Sequence, residues 1–158
     1  MARFEDAIET VLRHEGGFVD DPADAGGETK YGISSRAYPG VDIAGLTKEQ
    51  ACEIYKRDYW QYDGIENQEV ATKVFDLAVN MGQKQATKLL QRAANVCGAV
   101  LRDDGLLGPA TVLAVNGSKP DCLLTELRAQ AAMFYCELAL KNPSQGRFLR
   151  GWLRRAVS

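Results

Sequence analysis

The 158-residue sequence contains one histidine, His14, and this scarcity limits its chemistry. Zinc hydrolases usually draw on two or three histidines, so a zinc site is not expected. Papain-like peptidases carry the histidine after the nucleophile, but His14 precedes all four cysteines. The GxSxG motif of serine hydrolases is also missing. Carboxylates are therefore the obvious candidates for catalysis, and we expect neither a metal nor a cofactor.

The sequence also lacks a strong charge of either sign and a long apolar run. It has 19 Lys and Arg against 21 Asp and Glu, a formal net charge of −2. Nucleic-acid binders normally present a basic field, so nucleic acid is not an expected partner. No apolar run approaches the roughly 18–20 residues of a membrane span, and residues 1–11 mix charged and apolar residues, unlike a signal peptide.

The four cysteines are widely spaced, form no CxxC pair and mostly lie among apolar residues: Cys52, Cys97, Cys122 and Cys136. Cysteine is among the most buried residue types, so free buried thiols are expected. The length suits a single core, and no linker or repeat divides it. We place a soft boundary at residues 82–83, between a lobe of residues 1–82 and a helical lobe of residues 83–158, packed as one compact unit.

Helical spacing of apolar residues predicts a mainly α fold. The predicted helices cover residues 3–15, 47–60 (with a capping box at Thr47 and Gln50), 68–81, about 86–98, 109–116, 120–141 and 148–156. Residues 18–34 are rich in Asp, Gly and Pro, which is typical of turns and a short irregular β-hairpin. In the longest helix, Leu123, Leu127, Phe134 and Leu138 are predicted to be buried.

Glu15 ends the first predicted helix on its apolar face. Glycoside hydrolysis needs a carboxylic acid that is still protonated near neutral pH. Burial and the negative end of the helix dipole both disfavour the charged form, so we expect them to raise the pKa of Glu15. A solvated glutamate at a helix end is the alternative.

Asp24 and Thr29 lie on either side of a Gly-Gly pair, where a hairpin would return both side chains to the end of the first helix. An aspartate can act as base or electrostatic stabiliser, and a threonine hydroxyl can position water. Asp20 and Asp21 are rivals for the carboxylate role, although an aspartate beside a proline also suits a turn.

Residues 14–18 read HEGGF and residues 21–34 read DPADAGGETKYGIS. Both segments closely resemble the signature of the N-acetylmuramidases of glycoside hydrolase family 108. The similarity continues through residues 74–82 and 148–155, and through residues 104–111, which resemble the family's peptidoglycan-binding region. The resemblance implies a lysozyme-like helical fold and hydrolysis of the β-1,4 bond between N-acetylmuramic acid and N-acetylglucosamine in bacterial peptidoglycan, with Glu15 as general acid.

Family members are commonly phage endolysins, so a phage or prophage origin is expected. We expect a monomer that is made in the bacterial cytoplasm without a signal peptide and acts in the periplasm or cell wall after release by another factor. Two alternatives stay open: a lytic transglycosylase, and a non-catalytic wall-binding or secretion-assisting protein. Residues 104–111 could likewise bind the wall or only complete the cleft.

Tyr31, Asn80 and Gln83 are candidate substrate contacts, because glycan sites combine aromatic faces with amide hydrogen bonds. Asn80 could equally tie down the hairpin, and Asp76, one turn earlier on the same helix face, could support it. From Lys141 onward the chain has five basic residues and no acidic one. Weak contact with an anionic envelope is one interpretation of this basic end, and solvated arginines that complement helix dipoles are the favoured one.

Overall fold

The computed structural model describes residues 1–16 and 28–158. Within these residues the chain forms seven α-helices, a short 3-10 helix and a two-stranded antiparallel hairpin. In chain order they are α1 (Phe4–Glu15), β1 (Thr29–Lys30), β2 (Ile33–Ser34), α2 (Lys48–Asp58), α3 (Gln68–Met81), α4 (Gln83–Val96), α5 (Pro109–Gly117), α6 (Pro120–Lys141), the 3-10 helix (Pro143–Phe148) and α7 (Leu149–Val157).

Local signals in the sequence account for most helix ends. The capping box of α2 is formed: the Thr47 hydroxyl accepts from the Gln50 backbone at 3.2 Å, and the Gln50 side chain accepts from the Thr47 backbone at 2.9 Å. Prolines occupy the first turn of α5 and of α6, where a missing N–H costs nothing. One residue, Gly82 at φ 87°, separates α3 from α4. Its positive φ explains why a glycine ends α3.

The centre of the core is α3, which packs against α1, α4 and α6. Most of its residues between Val70 and Ala78 are buried, including two charged ones, Lys73 and Asp76. At one end of the core, Trp60 makes edge contacts with Phe4 and Phe75, with ring centroids 5.7 and 5.3 Å apart. A helix that is buried on nearly every side can carry a charged residue only where a partner reaches it.

The hairpin that follows α1 in the structure is tight. Thr29 pairs with Ser34 and Lys30 with Ile33, which leaves Tyr31 and Gly32 as the two turn residues. Both have positive φ, 52° and 77°, as a type I′ turn requires. The Tyr55 hydroxyl of α2 donates to the Tyr31 carbonyl at 2.8 Å and so holds the turn against the helical core.

The expected mainly α, lysozyme-like fold with a short hairpin after the first helix is confirmed. The expected burial along α6 is wrong in its second half. Leu123 and Leu127 are buried, but Phe134 and Leu138 are only partly so. The buried stripe instead continues at four-residue spacing through Ala131 to Tyr135. Tyr135 takes this place because it stacks on Trp152 of α7, with centroids 5.4 Å apart.

The expectation of free buried cysteines is also corrected. Cys97 and Cys122 form a disulfide with their Cα atoms 6.1 Å apart, and Cys136 is exposed, while Cys52 is a partly buried free thiol. Cys97 caps the end of α4 and Cys122 lies in the first turn of α6. The two meet because α4 and α6 pack together, which their separation of 25 residues does not reveal.

Residues 104–108 form a loop and residues 109–111 begin α5, and Gln91 of α4 ties this segment to the core. The buried Gln91 amide donates to Asp104, to the Leu106 carbonyl and to Thr111, and its oxygen accepts from the Gly105 backbone at 2.9 Å. The loop is therefore held from inside by one side chain. No helix in the described part of the chain is long and apolar enough to cross a membrane.

Candidate active site

Glu15 is the last residue of α1 and faces a groove of about 450 Å³. Its side chain is 19% exposed, so the carboxylate is largely but not completely shielded from water. The groove is lined by His14, Glu15, Asn80, Gly151, Trp152, Arg154, Arg155 and Ser158. One wall thus comes from α1 and α3, and the other from the C-terminal helix α7.

Arg155 pairs directly with the Glu15 carboxylate. Its Nη2 donates to Glu15 Oε1 at 2.5 Å, and its Nε lies 3.5 Å from Asp76 Oδ1. Arg155 is 8% exposed, so the expectation of a solvated arginine at this position is wrong. Although burial opposes the charge, the Asp76 and Glu15 carboxylates hold the pKa of Arg155 above its usual value.

Asp76 links this ion pair to His14. The His14 Nδ1 atom donates to Asp76 Oδ1 at 2.8 Å, and the Asp76 side chain is 1% exposed. A supporting network around Asp76 was expected from the sequence, but with Asn80 rather than with His14 and Arg155. The four side chains connect three helices, with His14 and Glu15 on α1, Asp76 on α3 and Arg155 on α7.

The other oxygen of Glu15 lies beneath the hairpin turn. A Cβ atom added at Gly32 would stand 2.5 Å from Glu15 Oε2 and 2.6 Å from the Tyr55 hydroxyl oxygen. Only a glycine allows the turn to approach this closely. Burial raises the pKa of Tyr55, and the neighbouring Glu15 charge raises it further, so the phenol stays a neutral donor.

Asn80 is the one predicted substrate contact that lines the same groove as Glu15 among the described residues. Its Oδ1 accepts from the Tyr135 hydroxyl at 2.7 Å, so this hydrogen bond ties Asn80 to α6 and not to the hairpin. Trp152 stacks on Tyr135 and also lines the groove, so α7 contributes an aromatic ring and α3 an amide to its lining.

The other predicted residues that the structure describes do not line this groove. Tyr31 sits at the hairpin tip and is half-buried. Thr29, which lies in β1, is also half-buried. Gln83 starts α4, where its side-chain nitrogen donates to the Asp58 carbonyl at 2.9 Å, so that this amide braces α2. Asp24 and its rivals Asp20 and Asp21 lie outside the described residues.

Arg155, Trp152 and Tyr135 were not predicted as site residues, and Arg155 was considered only as one of the five basic residues from Lys141 onward. A signal for Arg155 did exist, because it lies three residues after Trp152 and beside the buried Ala156 on an amphipathic helix. A charged residue on an apolar face needs a partner of opposite charge. Asp76 on the apolar face of α3 needs a partner for the same reason, and Arg155 and Asp76 pair with each other.

Within residues 1–16 and 28–158, no group of three or more His, Cys, Asp or Glu side chains is arranged to hold a metal ion. The chemistry that the described groups can support is proton transfer from a shielded carboxyl group at the wall of a groove. The groove volume falls within the range of about 300–1,000 Å³ that is usual for small-molecule and cofactor sites.

The chain is similar to known proteins over most of its length. The family model described as glycosyl hydrolase 108 matches residues 8–82, and the one described as predicted peptidoglycan domain matches residues 85–157. The chain is similar to the solved structure of SagA from Brucella abortus, with 30% identity, a TM-score of 0.76, and coverage of 97% of this chain and 88% of that one. No curated protein matches the chain.

Proposed function

Since the chain belongs to glycosyl hydrolase family 108 and its second half matches a predicted peptidoglycan domain, it is a glycosidase that acts on peptidoglycan, and we propose that it is a muramidase. It hydrolyses the β-1,4 bond between N-acetylmuramic acid and N-acetylglucosamine. The observation that carries the proposal is the position of Glu15, whose shielded carboxylate faces the groove from the end of α1.

In the proposed reaction, Glu15 donates its proton to the glycosidic oxygen while the bond from that oxygen to the anomeric carbon breaks. The bonding electrons leave with the oxygen, and a water molecule adds to the anomeric carbon. The surplus proton of this water passes to a carboxylate, for which Asp24 is the candidate, with Asp20 and Asp21 as rivals. Thr29, which precedes the hairpin turn, is the candidate for orienting the water.

Substrate binding is proposed for Asn80 and Tyr31. Asn80 lines the groove and can offer its amide nitrogen to an acetamido or hydroxyl oxygen. Tyr31, at the tip of the hairpin, can provide an aromatic face for a sugar ring. Gln83 is the weaker candidate, because its amide nitrogen already donates to the Asp58 carbonyl.

The proposal is tested by mass spectrometry of the fragments that the wild type and Glu15→Gln release from purified peptidoglycan. We expect the wild type to release fragments with N-acetylmuramic acid at the reducing end, and Glu15→Gln to release none while it stays folded. Glu9→Gln is the matched control. Glu9 lies on the same helix, is 60% exposed and pairs with Lys48 outside the groove, so this variant keeps full activity.

Three results would replace the proposal. Products lighter by one water would identify a lytic transglycosylase, and binding without cleavage would identify a wall-binding protein. Full activity of Glu15→Gln would remove Glu15 from the mechanism.

The proposal includes a phage or prophage endolysin role, so the wild type, when directed to the periplasm of Gram-negative cells, lyses them and Glu15→Gln does not.

A further inference from the structure

Arg155 belongs to the half of the chain that matches the predicted peptidoglycan domain, yet its side chain ends at Glu15 in the other half. The two residues are 140 positions apart in the sequence. The guanidinium lies between two carboxylates, those of Glu15 and Asp76, both contributed by the glycosyl hydrolase half. A buried cation in this position requires both partners, because removing a charge from water is costly unless it is paired.

Three residues fix the position of Arg155: Asp76, His14, which acts through Asp76, and Lys73. Asp76 Oδ1 faces its Nε, and His14 holds the same Asp76 oxygen through Nδ1 at 2.8 Å. The buried Lys73 of α3 donates from its Nζ atom to the Arg155 carbonyl, which anchors the backbone of α7 at this residue. The guanidinium therefore reaches Glu15 from a support that is itself fixed, as accurate placement of a functional group requires.

We propose that Arg155 is a positioning residue for the general acid, and that the peptidoglycan-domain half is thereby a working part of the catalytic centre. This inference rests on the proposed role of Glu15. When Glu15 gives up its proton, a negative charge develops on its carboxylate. The guanidinium beside Oε1 meets that charge at the moment it forms, and this stabilises the transition state more than the bound substrate.

The effect of the Arg155 charge on Glu15 must be separated from the effects of the other groups that face Glu15. Tyr55 of α2 and Tyr135 of α6 are the titratable neighbours on these helices, and burial raises the pKa of both phenols, so they remain neutral in the working range. Asp76 of α3 acts on Glu15 through Arg155, because it contacts the guanidinium. His14 of α1 acts through the same pair, because it contacts Asp76. Arg155 is the cation that touches Glu15 among the described residues.

The test compares the kcat and KM of the wild type, Arg155→Gln and Arg155→Lys on soluble peptidoglycan fragments. We expect Arg155→Gln to lose about 10- to 100-fold in kcat with KM almost unchanged. Arg155→Lys recovers part of kcat, since an ammonium keeps the charge but cannot bridge two carboxylates.

Arg150→Gln is the matched control, because Arg150 lies on the same helix, is exposed and does not line the groove. It keeps the wild-type kcat and KM. An unchanged kcat in folded Arg155→Gln would overturn the inference. If circular dichroism shows that Arg155→Gln does not fold, Arg155→Lys decides: a lower kcat at constant KM supports the inference, and a wild-type kcat overturns it. An inactive wild type would instead refute the muramidase proposal itself.

Discussion

Replacing Gly32 by alanine tests whether the hairpin turn lies directly over the Glu15 carboxylate. The new Cβ atom would stand 2.5 Å from Glu15 Oε2 and 2.6 Å from the Tyr55 hydroxyl oxygen, so at least one of the three groups must move. Alanine also meets a backbone at φ +77°, a left-handed conformation that costs an L-residue about 1–2 kcal/mol. Crowding of a packed site adds about 1–3 kcal/mol. The expected loss of unfolding free energy is therefore about 2–5 kcal/mol.

Gly98→Ala separates these two contributions. Gly98 has φ +103°, but a Cβ atom there would meet nothing within 4 Å. This control should lose only the backbone part, about 1–2 kcal/mol, and should keep kcat. Gly32→Ala should in addition lose kcat, because a displacement of about 1 Å of the proposed general acid can cost roughly 100-fold.

Urea unfolding measures the two free energies, and release of reducing ends from peptidoglycan measures kcat. The reasoning would be refuted if Gly32→Ala lost no more stability than Gly98→Ala and kept the wild-type kcat. That result would mean that the turn has room above Glu15, in conflict with the distances on which the site is built.

Two further predictions concern the support of the site. Reduction of the Cys97–Cys122 disulfide, or Cys97→Ser, should lower the unfolding free energy by about 3 kcal/mol, because the bond closes a separation of 25 residues. Cys52→Ser, measured by the same urea titration, should change the unfolding free energy little, because Cys52 is a free thiol. Equal losses in the two variants would contradict the pairing. Burial lowers the pKa of Lys73 to about 8 from its ordinary 10.5, so between these pH values the unfolded chain binds a proton that the folded chain has released. The unfolding free energy of the wild type minus that of Lys73→Met should therefore rise from pH 8 to 10.5, by at most about 1.4 kcal/mol per pH unit. If urea unfolding gives a constant difference over this range, the amine of Lys73 is not buried.

Most helix ends could be predicted because their causes are local. The limits of α3 and α6 were predicted to the residue, since Gly82 stops α3 and Pro120 starts α6. The Thr47 capping box was predicted for the same reason, as both of its partners lie within four residues. The position of Glu15 at the end of α1 also follows from helical spacing and the adjacent Gly16.

The partners of Glu15 could not be predicted in this way. Asp76 was considered as support for Asn80, and Arg155 was interpreted as a solvated cation, because each residue was judged against its own helix. Their pairing depends on how α7 packs against α6 and how α1 packs against α3. The Cys97–Cys122 disulfide was missed for the same reason, since it joins the end of α4 to the start of α6.

By itself, the sequence determined the helical framework and the hairpin after the first helix, and it placed a candidate carboxylate, Glu15, at the end of that helix. These features follow from hydrophobic spacing, capping residues and the scarcity of histidine, all of which act over a few residues or over the composition as a whole. Only the tertiary structure decided that the carboxylate lies beneath Gly32 and beside Arg155. Charge pairing in a shielded groove depends on distances of a few ångströms between helices that are far apart along the chain, and packing alone sets those distances.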